Sequence, residues 1–202
     1  MNLRKTLIAA SLAALPMMLC ADAVAAGPSM MASPVAAAAA EHAALISKAA
    51  AANDKRGLDQ DHGYAVAAEH PGVAGTKVTR LAHTYKGVRV FQSESVMVTN
   101  DAGKLVSESV SDRRSGLGFG ASSAKMGARF ASFSVTPAIS ASAAINLVVA
   151  AVSPGAVHAA APSAELIVFP IVASVRVAGA ANKIDSELNA LDLQDQVTGY
   201  EL

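Results

Sequence analysis

The chain has 202 residues and carries 16 Lys+Arg against 16 Asp+Glu, a formal net charge of zero, which excludes the basic footprint of a nucleic-acid or anionic-membrane binder. Hydrophobic residues make up 52% but aromatics only 4%, so the apolar fraction is mostly alanine and the expected core is thin. The single cysteine, Cys20, lies in a leader-like segment, and the chain beyond it has no disulfide, thiol nucleophile or cysteine-based zinc site to draw on.

Residues 1–26 read as a signal peptide. Arg4 and Lys5 precede an apolar stretch from Thr6 to Leu19, too short to span a bilayer, and Ala23-Val24-Ala25 fits the small-residue cleavage pattern. Cleavage is expected after Ala25 or Ala26, giving a secreted or periplasmic chain with no membrane association after signal removal. Leu19 before Cys20 fits a lipoprotein signal poorly. Residues 27–40, with two prolines and an alanine run, read as an Ala/Pro-rich arm.

Glu41 to Ala52 is predicted helical from its strong helix formers, with Leu45 and Ile46 its only large apolar residues. Lys55 to Gly75 holds Gly57, Gly63, Pro71, Gly72 and Gly75 and reads as loop. Thr76 to Tyr85 is the first predicted strand. Lys86-Gly87 is a two-residue turn, with glycine where a positive φ is needed. After it, Val88, Val90, Val96 and Val98 share one parity and hence one strand face. The polar Gln92 and Glu94 fall on the same parity and predict a bulge between them. Asn100-Asp101-Ala102-Gly103 is a second turn, and Leu105 to Val110 a third strand.

Residues 115–136, rich in Gly and Ser, read as a linker. It separates a first unit at 41–114 from a second at 137–202. Ser140 is a suitable helix N-cap, and Ile145, Val148, Val149 and Val152 form one apolar stripe before Pro154-Gly155 ends the helix. Glu165 to Val172 is a strand in which Pro170 suggests an edge or a bulge, and Val175 to Val177 extend it. Residues 178–196 read as polar loop, and 197–202 as the start of another strand. A helix-then-strands pattern occurs twice, the second copy unfinished. The expected fold class is α+β.

The stretch TYKGVRVFQSESVMVTNDAGKLVSES resembles the fungalysin/thermolysin propeptide domain, through Tyr85, Lys86, Gly87, Val88, Val90, Phe91, Glu94, Val96, Val98, Asp101 and Gly103. The second unit, ISASAAINLVVAAVSPGA followed by AELIVFP, is similar to the start of a PepSY domain, which follows the propeptide domain in thermolysin-family (bacillolysin-like) precursors. The resemblance implies two small cystatin-like modules, each curving a sheet around a helix, the second incomplete. It implies a pro-region that assists folding of a secreted zinc metalloprotease, or inhibits it. The implied partner is a thermolysin-like catalytic domain, and no cofactor is implied for this chain. The hairpin Tyr85, Lys86, Gly87, Val88, Arg89, Val90 and Phe91 is the expected structural and interfacial element. Phe91 reads as core before docking face, and Lys86 and Arg89 as solvated residues. Two alternatives stand beside this reading: the front end of a longer active metalloendopeptidase precursor, or a free-standing exported binding module.

Motifs for catalysis are sparse. The histidines His42, His62, His70, His83 and His158 include no pair four apart, so H-E-x-x-H is missing and the chain is not expected to be an enzyme. Ser122-Ser123-Ala124-Lys125 matches S-x-x-K without its companion motifs and lies in the linker. The glycines at 116–120 lack the strand-to-helix frame of a phosphate loop. Asp59, Asp61 and His62 offer fewer oxygens than Ca²⁺ requires. His83, at the same strand parity as Tyr85, reads as a half-exposed sheet residue.

Overall fold

The computed structural model describes residues 34–119 and 130–202. The segment expected to be a signal peptide, with Ala25 and Ala26, and the S-x-x-K match lie outside the described residues. Helices α1 (Pro34–Ala50) and α2 (Asn53–Arg56) precede strands β1 (His62–Pro71), β2 (Thr76–Tyr85), β3 (Val88–Asn100) and β4 (Leu105–Ser111). Helix α3 (Ala141–Val152), β5 (Ile167–Arg176) and β6 (Leu193–Glu201) come next. The class is α+β, with one mixed six-stranded sheet in the order β1-β2-β3-β5-β6 and β4 also on β3.

Helix α1 starts at Pro34, ahead of the predicted Glu41. The alanine run has the highest helix propensity of any residue type, and proline is tolerated at the first helical position, where its missing N–H has no partner to lose. Leu45 and Ala49, one turn apart, bury against Tyr64, Leu81 and Met97 of the sheet.

Residues 62–71 form β1, not loop. The sequence HGYAVAAEHP buries His62 and Tyr64, and Val66 packs on the α1 core. Of the glycines and prolines that marked this region as loop, Gly57, Gly72 and Gly75 flank the strand, while Gly63 and Pro71 lie within its two ends. Gly57 ends α2 in the left-handed conformation.

The predicted strand Thr76–Tyr85 and the two turns are present. Lys86 and Gly87 have φ of 47° and 80°, as a two-residue hairpin with right-handed strand twist requires. Asn100 accepts the N–H groups of Ala102 and Lys104 on its side-chain oxygen and so fixes the second turn.

The bulge in β3 is wide. Ala82 pairs with Glu94 and Thr84 with Arg89, so His83 alone faces Val90 through Ser93, and Gln92 has φ 52°. The expected single valine face breaks here. Val90 is buried before the bulge, but beyond it Ser93, Ser95, Met97 and Thr99 are buried while Val96 and Val98 are only half-buried.

β5 adds to β3 in parallel through Arg89↔Ile167 and Val90↔Val168, and β6 pairs antiparallel with β5 along its length. Strands from both halves of the sequence thus share one sheet. A second core forms at the joint, from Tyr85, Val90, Leu117, Val168 and Tyr200, with Phe130 and Phe133 against it. The parallel ladder stops before Pro170, which has no N–H to give, and the β5–β6 register shifts after Ile171. The predicted loop at 178–196 contains three 3₁₀ turns, and its last residues already belong to β6.

Candidate functional site

A cluster of polar and titratable side chains gathers behind the β3 bulge. β1 brings Tyr64, β2 brings His83, β3 brings Ser93 and Ser95, and the segment after β4 brings Asp112 and Arg114. The His83 ring has Ser93 Oγ 2.9 Å from Nδ1 and Ser95 Oγ 2.9 Å from Nε2, with Asp112 Oδ1 3.7 Å from Nδ1. Arg114 donates from Nε to Asp112 Oδ1 (2.9 Å) and from Nη2 to Asp112 Oδ2 (2.7 Å). It also donates to the Gly63 carbonyl and to the Tyr64 hydroxyl, both at 3.1 Å, with its guanidinium over the Tyr64 ring. Tyr64 in turn donates to Asn53, and Arg56 donates to Tyr64.

Ser95, His83 and Asp112 therefore stand in the order that nucleophilic catalysis uses. Access decides against that use: His83, Ser95 and Arg114 are fully buried, so no substrate reaches the hydroxyl. His83 is a core residue here, not the half-exposed one expected, because the bulge leaves it facing four residues and both ring nitrogens find hydroxyls.

Electrostatics fit a sealed polar core. Burial alone would raise the Asp112 pKa, but the hydrogen bonds and charge of Arg114, with a further pull from the nearby His83, outweigh it and hold the carboxyl well below the usual range. Burial pushes His83 down, against the pull of Asp112, so its neutral form is favoured. His62 is pushed down by burial in the same way, opposed by Asp59 2.8 Å from its Nδ1. Asp59, considered as a cation ligand in the sequence, instead accepts from the Asp61 and Phe119 N–H groups and ties the β1 entry to the segment after β4. Among the described residues, no cluster of three or more His, Cys, Asp or Glu is placed to hold a metal ion.

The hairpin residues divide between inside and outside. Tyr85 is fully buried, between His62 and Phe133, and its hydroxyl has no partner among the described residues. Val90 is fully buried and Val88 packs on the same core. Lys86 and Gly87 are exposed at the tip, with Lys86 Nζ donating to the Phe133 carbonyl at 3.2 Å. Arg89 forms two 2.8 Å hydrogen bonds to Glu165, across the joint with β5. Phe91 is half-buried and stacks on Phe169, ring centroids 5.2 Å apart.

The second half presents apolar surface. Ser140 caps α3 by accepting the Ala143 N–H, but no residue of the helix is buried. Of the expected apolar stripe, Ile145 and Val149 are half-buried, while Val148 is 60% and Val152 77% exposed, beside Leu147 at 63%. A groove of about 620 Å³ runs between the start of α3 and the start of β5, lined by Ile139, Ala144, Leu166, Ile167 and Leu202 among others.

Sequence reasoning missed Asp112, Arg113, Arg114, Ser93 and Ser95. The one local signal was the charged triplet Asp112-Arg113-Arg114 directly after a strand. Comparison with protein-family models, with curated proteins and with solved structures finds no match for this chain.

Proposed function

We propose that this chain is a non-catalytic, propeptide-type docking protein, which assists folding of a secreted thermolysin-like zinc metallopeptidase or inhibits it. The observation that carries the reading is the exposed apolar face of α3, Leu147, Val148 and Val152, beside the apolar groove at its start. Contiguous apolar surface of this kind marks a protein-binding site. The burial of His83 and Ser95 supports the same reading, since the base and hydroxyl nearest to a catalytic arrangement are spent on the core. The likeness of the Tyr85–Gly103 hairpin to thermolysin-type pro-regions supplies the class of partner.

Docking alone is sufficient for such a role. A partner that binds only the folded enzyme, or the transition state leading to it, stabilises that state by mass action. In this reading the hairpin is structural: it anchors β5 through Arg89 and Val90.

The experiment mixes the purified chain with a thermolysin-type enzyme and monitors refolding yield and peptidase activity. A rise in yield or a saturable loss of activity is expected. No change in either quantity overturns the proposal.

A further inference from the structure

Arg56, Arg80, Arg89, Arg114 and Arg176 each meet a carboxylate, on Glu108, Glu94, Glu165, Asp112 and Asp185 respectively. Arg113 has none among the described residues, and its Nε is buried without an acceptor there. A buried guanidinium N–H left unsatisfied is costly. Its backbone is held on both sides: the Arg113 N–H donates to Ser93 Oγ at 2.9 Å, and the Tyr200 hydroxyl donates to its carbonyl at 2.9 Å. The side chain thus starts from a fixed point.

The place it occupies is a wedge in the sheet. One edge of β3 carries β5 at Arg89 and Val90 and then, past the bulge, β4 from Glu94 onward. β5 leaves β3 after Val168. From Phe169 to Arg176 it pairs only with β6 among the described residues, and its other edge keeps unpaired main-chain groups. The resulting groove has a volume of about 510 Å³. Arg113, the stacked Phe91 and Phe169, Ile171 and Asp195 line it. Asp195 accepts from Ser174 at 3.1 Å.

We propose that this groove binds an extended peptide segment bearing an acidic side chain, which adds to the free edge of β5 and sets its carboxylate on Arg113. Main-chain pairing supplies affinity, and the side chains of alternate residues supply selection. The bound carboxylate meets the Arg113 Nη groups, which have no acceptor among the described residues, in a charge-assisted hydrogen bond that neutralises the half-buried guanidinium. Phe169 and Ile171 receive an apolar side chain next to it. Asp195, paired across from Ser174 and lining the same groove, favours a basic residue elsewhere on the peptide. The opposite charges at the two ends fix the direction of the peptide. Naming its source as a strand of the docked protease rests on the proposed function; the chemistry of the groove does not.

The test uses fluorescein-labelled octapeptides of alternating Val and Thr, with Glu near one end and Lys near the other, in both orders, and the same peptides with Gln for Glu. Fluorescence polarisation with the purified chain is expected to show saturable binding of one Glu peptide and ten-fold or more weaker binding of its Gln version. In Arg113→Gln that difference disappears, with the far-UV spectrum and melting temperature unchanged. The alternate amides of β5 past Pro170 that face its free edge gain protection from exchange when the Glu peptide is present. Arg113→Glu regains binding to a peptide with Lys in place of Glu. Equal affinity for Glu and Gln peptides, no binding, or no added protection on β5 overturns the inference. The protease mixture separates it from the function: if the chain acts on the enzyme and Arg113→Gln acts equally well, this inference fails while the function stands. If the Glu peptide binds and the enzyme is unaffected, the groove stands and the propeptide reading fails.

Discussion

Asp112 meets Arg114 with both carboxylate oxygens, at 2.9 and 2.7 Å, in a pair whose guanidinium is fully buried. The geometry is the two-point contact that planar guanidinium and carboxylate groups favour. Gly63 and Tyr64 accept two further donors, so the pair ties the segment after β4 to β1.

Removing one member of that pair leaves a buried charge without compensation. Asp112→Asn is expected to lower unfolding stability by about 3–5 kcal/mol in urea titration. The double variant Asp112→Asn, Arg114→Met is expected to be less destabilised than Asp112→Asn alone, because it removes the orphaned cation. A double variant weaker than the single one would refute the assignment.

Acid stability depends on the same core. His62 and His83 are held below the ordinary histidine value by burial, so the folded chain binds fewer protons than the unfolded one. Their contribution is complete above about pH 6.5 and is lost as pH falls from there toward the folded values. Asp112 is also depressed, and its contribution is lost only below about pH 4. Urea midpoints are therefore expected to start falling near pH 6.5. In His62→Gln, His83→Gln the fall between pH 6.5 and 5 is expected to flatten, whatever the absolute stability of the variant.

The hairpin tip isolates a backbone effect. Gly87 has φ 80°, and a Cβ built there meets nothing within 4 Å. Gly87→Ala is expected to cost about 1–2 kcal/mol from conformation alone. Lys86 sits at φ 47°, which Asn adopts more readily, and this gain is expected to outweigh the loss of its exposed bond to the Phe133 carbonyl, so Lys86→Asn is expected to gain up to about 1 kcal/mol. Thermal melts of the two variants should shift in opposite directions.

At the joint between the halves, packing should outweigh charge. Val168 is fully buried in the second core, and Val168→Ala is expected to cost about 2 kcal/mol. The Arg89–Glu165 pair is well formed but exposed, and Glu165→Gln is expected to cost less than about 1 kcal/mol. Equal losses in the two variants would mean that the ion pair, not the core, holds β5 on β3.

Local chemistry was legible in the sequence and distant pairing was not. The Lys86-Gly87 turn, the Asn100 turn and the Ser140 cap depend on neighbours within a few residues, and each was readable. The polar pair Gln92 and Glu94 in a valine strand announced the bulge, but its width, and the change of buried face beyond it, depend on what β2 offers opposite. β1 was hidden by Gly63 and Pro71, residue types that mark loops more often than strands. The polar core was illegible because its members lie far apart in the chain: Arg114 reaches back to Gly63 and Tyr64. No spacing rule joins such positions, and only the sheet brings them together.

The apolar face of α3 provides the sharpest separation of function from stability. Leu147, Val148 and Val152 are largely exposed and no residue of the helix is buried, so they add little to the fold. Val148→Lys, Val152→Lys places charges in solvent and is expected to change unfolding stability by no more than about 0.5 kcal/mol. The same charges, driven into an interface, would have to be desolvated without partners, a cost of several kcal/mol. The variant is thus expected to keep its urea midpoint and lose at least ten-fold in its effect on a thermolysin-type enzyme, with wild-type chain measured alongside. A fallen midpoint would show that the face is covered within this chain. An unchanged midpoint with undiminished action on the enzyme would remove α3 from the docking surface.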